Sequence, residues 1–321
     1  MRYADMGGRD VSVIGVGIWQ FGSKAWGWGK EFGSDEAGRI VQRALDLGVN
    51  LFDTAEIYSG GTSETLLGAA LAGRRDDAFI ASKVWPLHAL PRQVRSAASR
   101  SLGRLQTDHM DLYQVHWPNP VVPLAWTMAG MRDVLDAGAT KAVGVSNFGL
   151  ARWLRAEEAL GSVVIANQVP YNILQRGVER ELLPYAQSNG RVIIAYSPLA
   201  QGALSGRYGV DNLPGGFRRA NALFLPENIS RARPVVDALR EVGAAHSATP
   251  AQIALAWLVR QPNVVAIPGA KSVAQLEENA AAADIELTPD EIARLEQVSA
   301  AFHPVSRMRN VRQLVRRLVS R

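Results

Sequence analysis

Short apolar runs alternate with amphipathic segments along nearly the whole chain. The runs are VSVIGVGIW (11–19), VNLFDTA (49–55), AFIASKV (78–84), MDLYQVHW (110–117), KAVGVSNF (141–148), VVIANQV (163–169), RVIIAYSP (191–198) and VVAIPGA (264–270). Most are apolar almost throughout and several are β-branched, the pattern of parallel strands covered on both faces. The segments between them carry helix signals. SDEAGRIVQRALDLG (34–48) offers Ser34 or Asp35 as N-cap, acids in the first turn and Gly48 as a stop. PRQVRSAASRSLGRL (91–105) opens on proline, and TPAQIALAWLVRQ (249–261) sets Thr249 before Pro250. Eight strands alternating with helices predict an α/β protein, a (β/α)8 TIM barrel. An open doubly wound sheet is the competitor, but no GxGxxG opens a helix after any strand. VIGVGIWQFG is only a lone Gly-x-Gly.

One connection, residues 199–230, is long and rich in Gly, Asn and Pro. It follows the seventh run, on the side where barrels place their active sites, and its length favours a functional loop. With 321 residues, 47% of them apolar, the chain can bury a large core. The absence of cysteine excludes disulfides, thiolate nucleophiles and Cys-ligated metals. The N-terminal MRYADMGGRD has no apolar signal core, and no run of about 18 apolar residues occurs, so a soluble, cytoplasmic protein is expected. The formal charge of +5 is concentrated in RMRNVRQLVRRLVSR, which holds six arginines and no acid, leaving the body near neutral. Met308, Val311, Val315 and Leu318 fall on one helical face of that tail. A basic amphipathic helix can seek an anionic membrane or nucleic acid. The plainer reading is a terminal helix laid on the domain with its arginines solvated, so neither partner is expected.

In a barrel, reactive side chains sit at the C-terminal ends of strands and in the loops that follow. Those positions hold Asp53 on the second run, Lys83 on the third and His116 on the fourth, with Tyr58 in the loop after the second. A phenol is a poor acid at neutral pH, with a reference pKa of about 10. A neighbouring ammonium lowers that value, and a carboxylate holds the ammonium in place. His116 can orient a carbonyl and donate to its oxygen. Singly, each has a plain alternative: a capping acid, a surface tyrosine, a snorkelling lysine, a structural histidine. Together at consecutive strand ends they form a coherent acid–base set. No His/Asp/Glu spacing points to a metal.

The segments LFDTAEIY, ASKV, YQVHWPNP, GVSNF, ANQVPYN, AYSPLAQGALSGRY and IPGAKSVAQLEENAAA identify the chain, over almost its full length, as resembling the aldo-keto reductase family. The resemblance implies that Asp53, Tyr58, Lys83 and His116 are the catalytic tetrad. Tyr58 is then the acid in carbonyl reduction and the base in the reverse oxidation. It also implies NADPH/NADP as cofactor, bound without a Rossmann fold. Ser146, Asn147 and Gln168 are expected at the nicotinamide carboxamide and Tyr196 stacked on the ring. Ser197, Leu199 and Gln201 are expected along the pyrophosphate. Lys271, Ser272 and Gln275 are expected around the adenosine 2′-phosphate, with Glu278 and Asn279 at the adenine. A cation and a hydroxyl at a strand-to-helix junction suit an anion. Two positions depart from the family's habit: Lys271 stands where many relatives have Arg, and Ser59 where many have Gly. The expected architecture is one domain over 1–321, with a short N-terminal β-hairpin capping the barrel bottom, long active-face loops and a basic tail from about residue 303.

Trp19, Trp26 and Trp28 lie on or after the first run, Trp85 follows Lys83 and Trp117 follows His116. They either pack the barrel top or line a pocket for a flat or apolar carbonyl compound. Two other functions compete with NADPH-dependent carbonyl reduction. One is a Schiff-base aldolase, which needs a lysine at a barrel strand end. The other is a cofactor-sensing regulatory subunit with weak turnover.

Overall fold

The computed structural model describes residues 1–215, 218 and 221–305. The apolar face of the basic tail, from Met308 to Leu318, lies outside the described residues. An antiparallel hairpin comes first, β1 (Tyr3–Asp5) with β2 (Asp10–Ser12). Eight parallel strands follow: β3 (Val16–Gly17), β4 (Leu51–Asp53), β5 (Phe79–Val84), β6 (Met110–Val115), β7 (Thr140–Ser146), β8 (Val164–Pro170), β9 (Val192–Tyr196) and β10 (Val264–Ala266). Each pairs with its neighbour in chain order. The ring closes where Gly15 and Gly17 donate to the carbonyls of Ala266 and Pro268, and Ala266 donates back to Val13.

All eight apolar runs are therefore strands of one barrel. The first run is divided, because residues 11 and 12 belong to the hairpin and only 16 and 17 to the barrel. The seam is tight at this point: a Cβ on Gly17 would stand 2.7 Å from the Ile267 carbonyl oxygen. Inside the ring, Leu51, Phe79, Leu112, Ile194 and Val265 form one apolar cluster, which Met6 and Val11 of the hairpin join. The hairpin thus caps the bottom of the barrel, opposite the site described below. Asp111 anchors the same end, accepting from the Ile80 N–H and from the guanidinium groups of Arg9 and Arg75.

The outer layer is α1 (Ser34–Asp46), α2 (Thr62–Ala70), α3 (Pro91–Leu105), α4 (Leu124–Asp136), α5 (Leu150–Leu160), α6 (Leu182–Ser188), α7 (Pro226–Ala245), α8 (Pro250–Val259), α9 (Val273–Ala281) and α10 (Pro289–Ala300). In α1, Ala37, Ile40, Val41, Ala44 and Leu45 recur at helical spacing and are the residues it buries. Its N-cap is Gly33, not Ser34 or Asp35, which are already helical. Their short side chains cap only from outside the first turn, and the chain enters the helix one residue earlier. Gly48, at φ +75°, ends it as expected. Thr249 and Gln252 form a reciprocal capping box on α8. The long connection is shorter than its composition implies, since α7 begins at Pro226, and α7 packs on α10 outside the βα repeat. Among the described residues no helix is long and apolar enough to cross a membrane.

Where α2 meets the end of α3, a Cβ on Gly68 would stand 2.5 Å from the Leu105 carbonyl oxygen. Backbone cannot yield there as a flexible side chain can. Gly68→Ala is expected to destabilise the protein by about 1–3 kcal/mol through overpacking, read as a lower midpoint in urea denaturation. An unchanged midpoint would show that the two helices separate freely.

Candidate active site

The C-terminal ends of the strands bring four side chains to one mouth. Asp53 is the last residue of β4, Lys83 is next to last in β5 and His116 follows β6. Tyr58 reaches them from a short turn, Tyr58–Gly61, in which Ser59, Gly60 and Gly61 have φ of +52°, +65° and +94°. Gly60 and Gly61 permit this bend freely. Ser59 does not, and its hydroxyl donates to the Phe21 carbonyl at 3.1 Å, a bond that holds the residue in that conformation.

Lys83 is fully buried. Its Nζ lies 2.7 and 2.8 Å from the two Asp53 carboxylate oxygens, 2.7 Å from the Thr54 carbonyl and 3.3 Å from Tyr58 Oη. An ammonium has three N–H groups, and these three partners use them all. Gln168 adds a 2.6 Å bond from Nε2 to Asp53 Oδ2. Burial pushes the Asp53 carboxyl up and the Lys83 ammonium down, and each partner's charge opposes the other's shift.

Because Lys83 donates to Tyr58 Oη, the phenolic proton remains available to a third group at the mouth. Burial, and secondarily the Asp53 charge, raise the Tyr58 phenol well above its usual value. This corrects the expectation that Lys83 lowers it. Desolvation of the phenolate outweighs what an ammonium already paired with Asp53 contributes in its favour. Tyr58 consequently holds its proton until an acceptor develops charge.

The His116 ring stands edge-on to Tyr58 and Trp85, with centroids 5.7 and 5.9 Å apart. Burial and the Lys83 charge push its pKa down to about 3. It is therefore a neutral imidazole at working pH, with one N–H to offer. Its Nδ1 is buried and has no hydrogen-bond partner among the described residues.

A second group of polar side chains lines the other half of the mouth. Ser146 ends β7, and its hydroxyl donates to the Gln168 carbonyl at 2.9 Å. Asn147, at φ +64°, donates to the His116 carbonyl at 3.1 Å and accepts from Tyr196 Oη at 3.0 Å. Tyr196 ends β9, and burial brings its phenol up to about 12. Ser197, Ala200 and Gln201 follow in left-handed conformations, at φ +50°, +50° and +56°, with Leu199 between them. Asn172 donates to the Ser197 carbonyl and Asn221 to the Gln201 side chain, fixing this curved stretch. The chemistry of the set fits a planar carboxamide beside Tyr196 and a phosphate bridge along 197–201.

At the start of α9 the polar side chains engage one another and a neighbouring acid. Lys271 Nζ pairs with Glu31 at 2.7 Å. Ser272 is the N-cap of α9, accepting from the Gln275 N–H, while the Gln275 side chain accepts from the Lys271 N–H. Glu278 accepts from the Thr249 hydroxyl at 2.7 Å, and Asn279 is nearly buried.

Of the tryptophans, Trp19 lies 6.2 Å from Tyr58 and Trp85 5.9 Å from His116, between ring centroids, so these two border the acid–base group, while Trp26 packs edge-on against Trp19 at 5.1 Å. Trp28 instead packs on Phe21 and Phe32, and Trp117 stands on the rim, sharing a small cavity with Trp85. Sequence reasoning overlooked Glu56. Its buried carboxylate takes the Trp85 N–H at 2.7 Å and His88 Nδ1 at 2.9 Å, tying the Tyr58 turn to the loop after β5. The signal was its place in AEIY, two residues before Tyr58. Glu31 and Glu36, discussed below, carried no signal in the linear pattern.

The barrel is matched along most of its length by a known family. The model of the aldo/keto reductase family matches residues 13–300. The chain belongs to that family. It is 49% identical, over the whole of both chains, to an uncharacterized oxidoreductase of Mycobacterium tuberculosis. It is 35% identical to a methylglyoxal reductase of Escherichia coli, covering 91% of this chain and 93% of that one. The aldo-keto reductase of Klebsiella pneumoniae, solved in complex with NADPH, superposes with a TM-score of 0.75 at 30% identity, covering 95% of this chain and 96% of the other.

Two predictions follow from the buried pair and the buried ring. Lys83→Met is expected to cost about 3–5 kcal/mol in urea denaturation by leaving Asp53 buried and unpaired, with part recovered in the double variant Asp53→Asn/Lys83→Met. Equal loss in single and double variants would mean the two do not act as a pair. For His116, the unfolded state takes up a proton near pH 6.5 while the folded ring does not until about pH 3. Its contribution to stability is therefore complete above pH 6.5 and is lost as pH falls below it. NMR of the folded protein should show His116 with no titration between pH 5 and 8; a midpoint in that range would place the ring in water.

Proposed function

We propose that this chain reduces small aldehydes or ketones to alcohols with NADPH, using Tyr58 as general acid within the set Asp53, Tyr58, Lys83 and His116. The observation that carries this is the bond from Lys83 Nζ to Tyr58 Oη inside a buried ion pair. It orients the phenol so that its proton faces the mouth. His116, kept neutral, positions the carbonyl oxygen through its N–H. As negative charge grows on that oxygen, Tyr58 releases its proton to it, and the fixed Lys83 ammonium stabilises the phenolate left behind. Asp53, itself held by Gln168 Nε2, fixes Lys83 beside the phenol.

Ser146, Asn147 and Gln168 would hold the nicotinamide carboxamide, Tyr196 would lie against the ring, and Ser197, Leu199 and Gln201 would follow the pyrophosphate. Lys271, Ser272 and Gln275 would face the adenosine phosphate, with Glu278 and Asn279 near the base. When bound, the cofactor supplies the hydride. The NADPH complex of the Klebsiella pneumoniae relative supports this cofactor. Trp19 beside Tyr58 and Trp85 beside His116 favour a small or flat uncharged carbonyl. A reactive dicarbonyl is consistent with the relative named a methylglyoxal reductase. A Schiff-base role for Lys83 is disfavoured, because its three N–H groups are engaged and none of its surface is exposed.

Tyr58→Phe is expected to lower kcat by about 100-fold or more while leaving NADPH affinity, read by fluorescence titration, within about twofold. Turnover near the wild-type value with methylglyoxal or an aromatic aldehyde would remove Tyr58 from the acid role.

A further inference from the structure

We propose that Glu31 and Glu36 set the cofactor preference of this chain: their carboxylates, on the Lys271 ammonium and the Val273 N–H, place negative charge beside the position proposed for a ribose 2′-phosphate, so that NADPH binds against that charge and NADH is accepted with comparable affinity. The inference rests on the cofactor site proposed above.

The cleft between the first turns of α1 and α9 is lined by Glu31, Asp35 and Glu36 against Lys271 and Arg39. Carboxylates thus outnumber cations where a dianion is expected. The Lys271 ammonium is held by Glu31 at 2.7 Å. The first free N–H of α9, that of Val273, is taken by Glu36 Oε1 at 2.9 Å, and the other Glu36 oxygen pairs with Arg39. Both acids are ionised at neutral pH, since Lys271 holds Glu31, and the Val273 N–H holds Glu36, below the usual carboxylate range.

The two differ in how easily they yield. Glu31 is 62% exposed, so its pair with Lys271 exchanges readily with solvent. Glu36 is 18% exposed and sits in the first turn of α1, where the helix dipole and Arg39 keep its charge in place. A 2′-phosphate carries negative charge and no strong donor, so it must push this carboxylate aside or bind beside it. A ribose 2′-hydroxyl is a neutral donor, which a carboxylate accepts; acidic side chains read it that way in NAD sites.

The test is isothermal calorimetry of NADP+ and NAD+ binding to the wild type, Glu31→Gln, Glu36→Gln and the double variant, each checked for an unchanged thermal midpoint. Glutamine preserves size and, at position 36, an oxygen for the Val273 N–H, so only the charge is removed. In the wild type the two dissociation constants should lie within about tenfold of each other, and in the double variant NADP+ should tighten by about tenfold while NAD+ stays within about twofold. Glu36→Gln should account for the larger share. A wild-type preference for NADP+ beyond tenfold, or NADP+ binding that the double variant leaves unchanged or weakens, would overturn the inference. Those results would leave the proposed cofactor site standing. A wild type that binds neither dinucleotide would remove the site and the inference with it.

Discussion

Everything at the mouth of this barrel depends on one fully buried ammonium. Lys83 survives there because Asp53 faces it with both oxygens, the Thr54 carbonyl takes a second N–H, and Tyr58 Oη takes the third. A buried charge is tolerable only when every donor is met. That requirement sets the positions of β4, β5 and the Tyr58 turn relative to one another. A shift of one residue in the register of β5 would turn Lys83 toward the helical layer and strand Asp53. The pairing of Asp53 with Ala81, two residues before Lys83, is the backbone expression of this constraint.

The same pair explains why neighbouring groups keep their protons as they do. A free ammonium would pull the Tyr58 phenol down; one already neutralised by Asp53 leaves burial to raise it. His116 is partly buried beside the same cation, and stays neutral. A protonated phenol beside a neutral imidazole is an arrangement of hydrogen-bond donors without a net charge of its own. It can receive a neutral carbonyl and respond only when charge develops on the oxygen. In the cleft between α1 and α9 charge is explicit instead, with Glu31 on the Lys271 ammonium and Glu36 on the Val273 N–H.

Much of the architecture was legible in the linear pattern because barrel strands are covered on both faces and read as nearly continuous apolar runs. Eight runs became eight strands, and Gly48, Pro91 and Thr249 marked helix ends as their backbone preferences require. The α1 cap was misplaced by one residue, since several small polar residues in a row offer near-equal caps. Asp53, Lys83, His116 and Tyr58 stood out because strand ends in a barrel converge whatever their separation along the chain.

What the sequence determined by itself was the order of elements, the closed parallel barrel, the family and the residues that would face its mouth, all carried by periodicity and local motif. Only the tertiary structure decided how those residues act on one another. Burial, with the Asp53 charge, raises the Tyr58 phenol where the chain alone implied that it falls. Glu36 is 237 residues from the Val273 N–H it accepts, and Glu31 is 240 residues from Lys271. Hydrophobic periodicity is a local property and survives in the linear code. The field at an ionisable group is a sum over neighbours in space, and it exists only once the chain has closed.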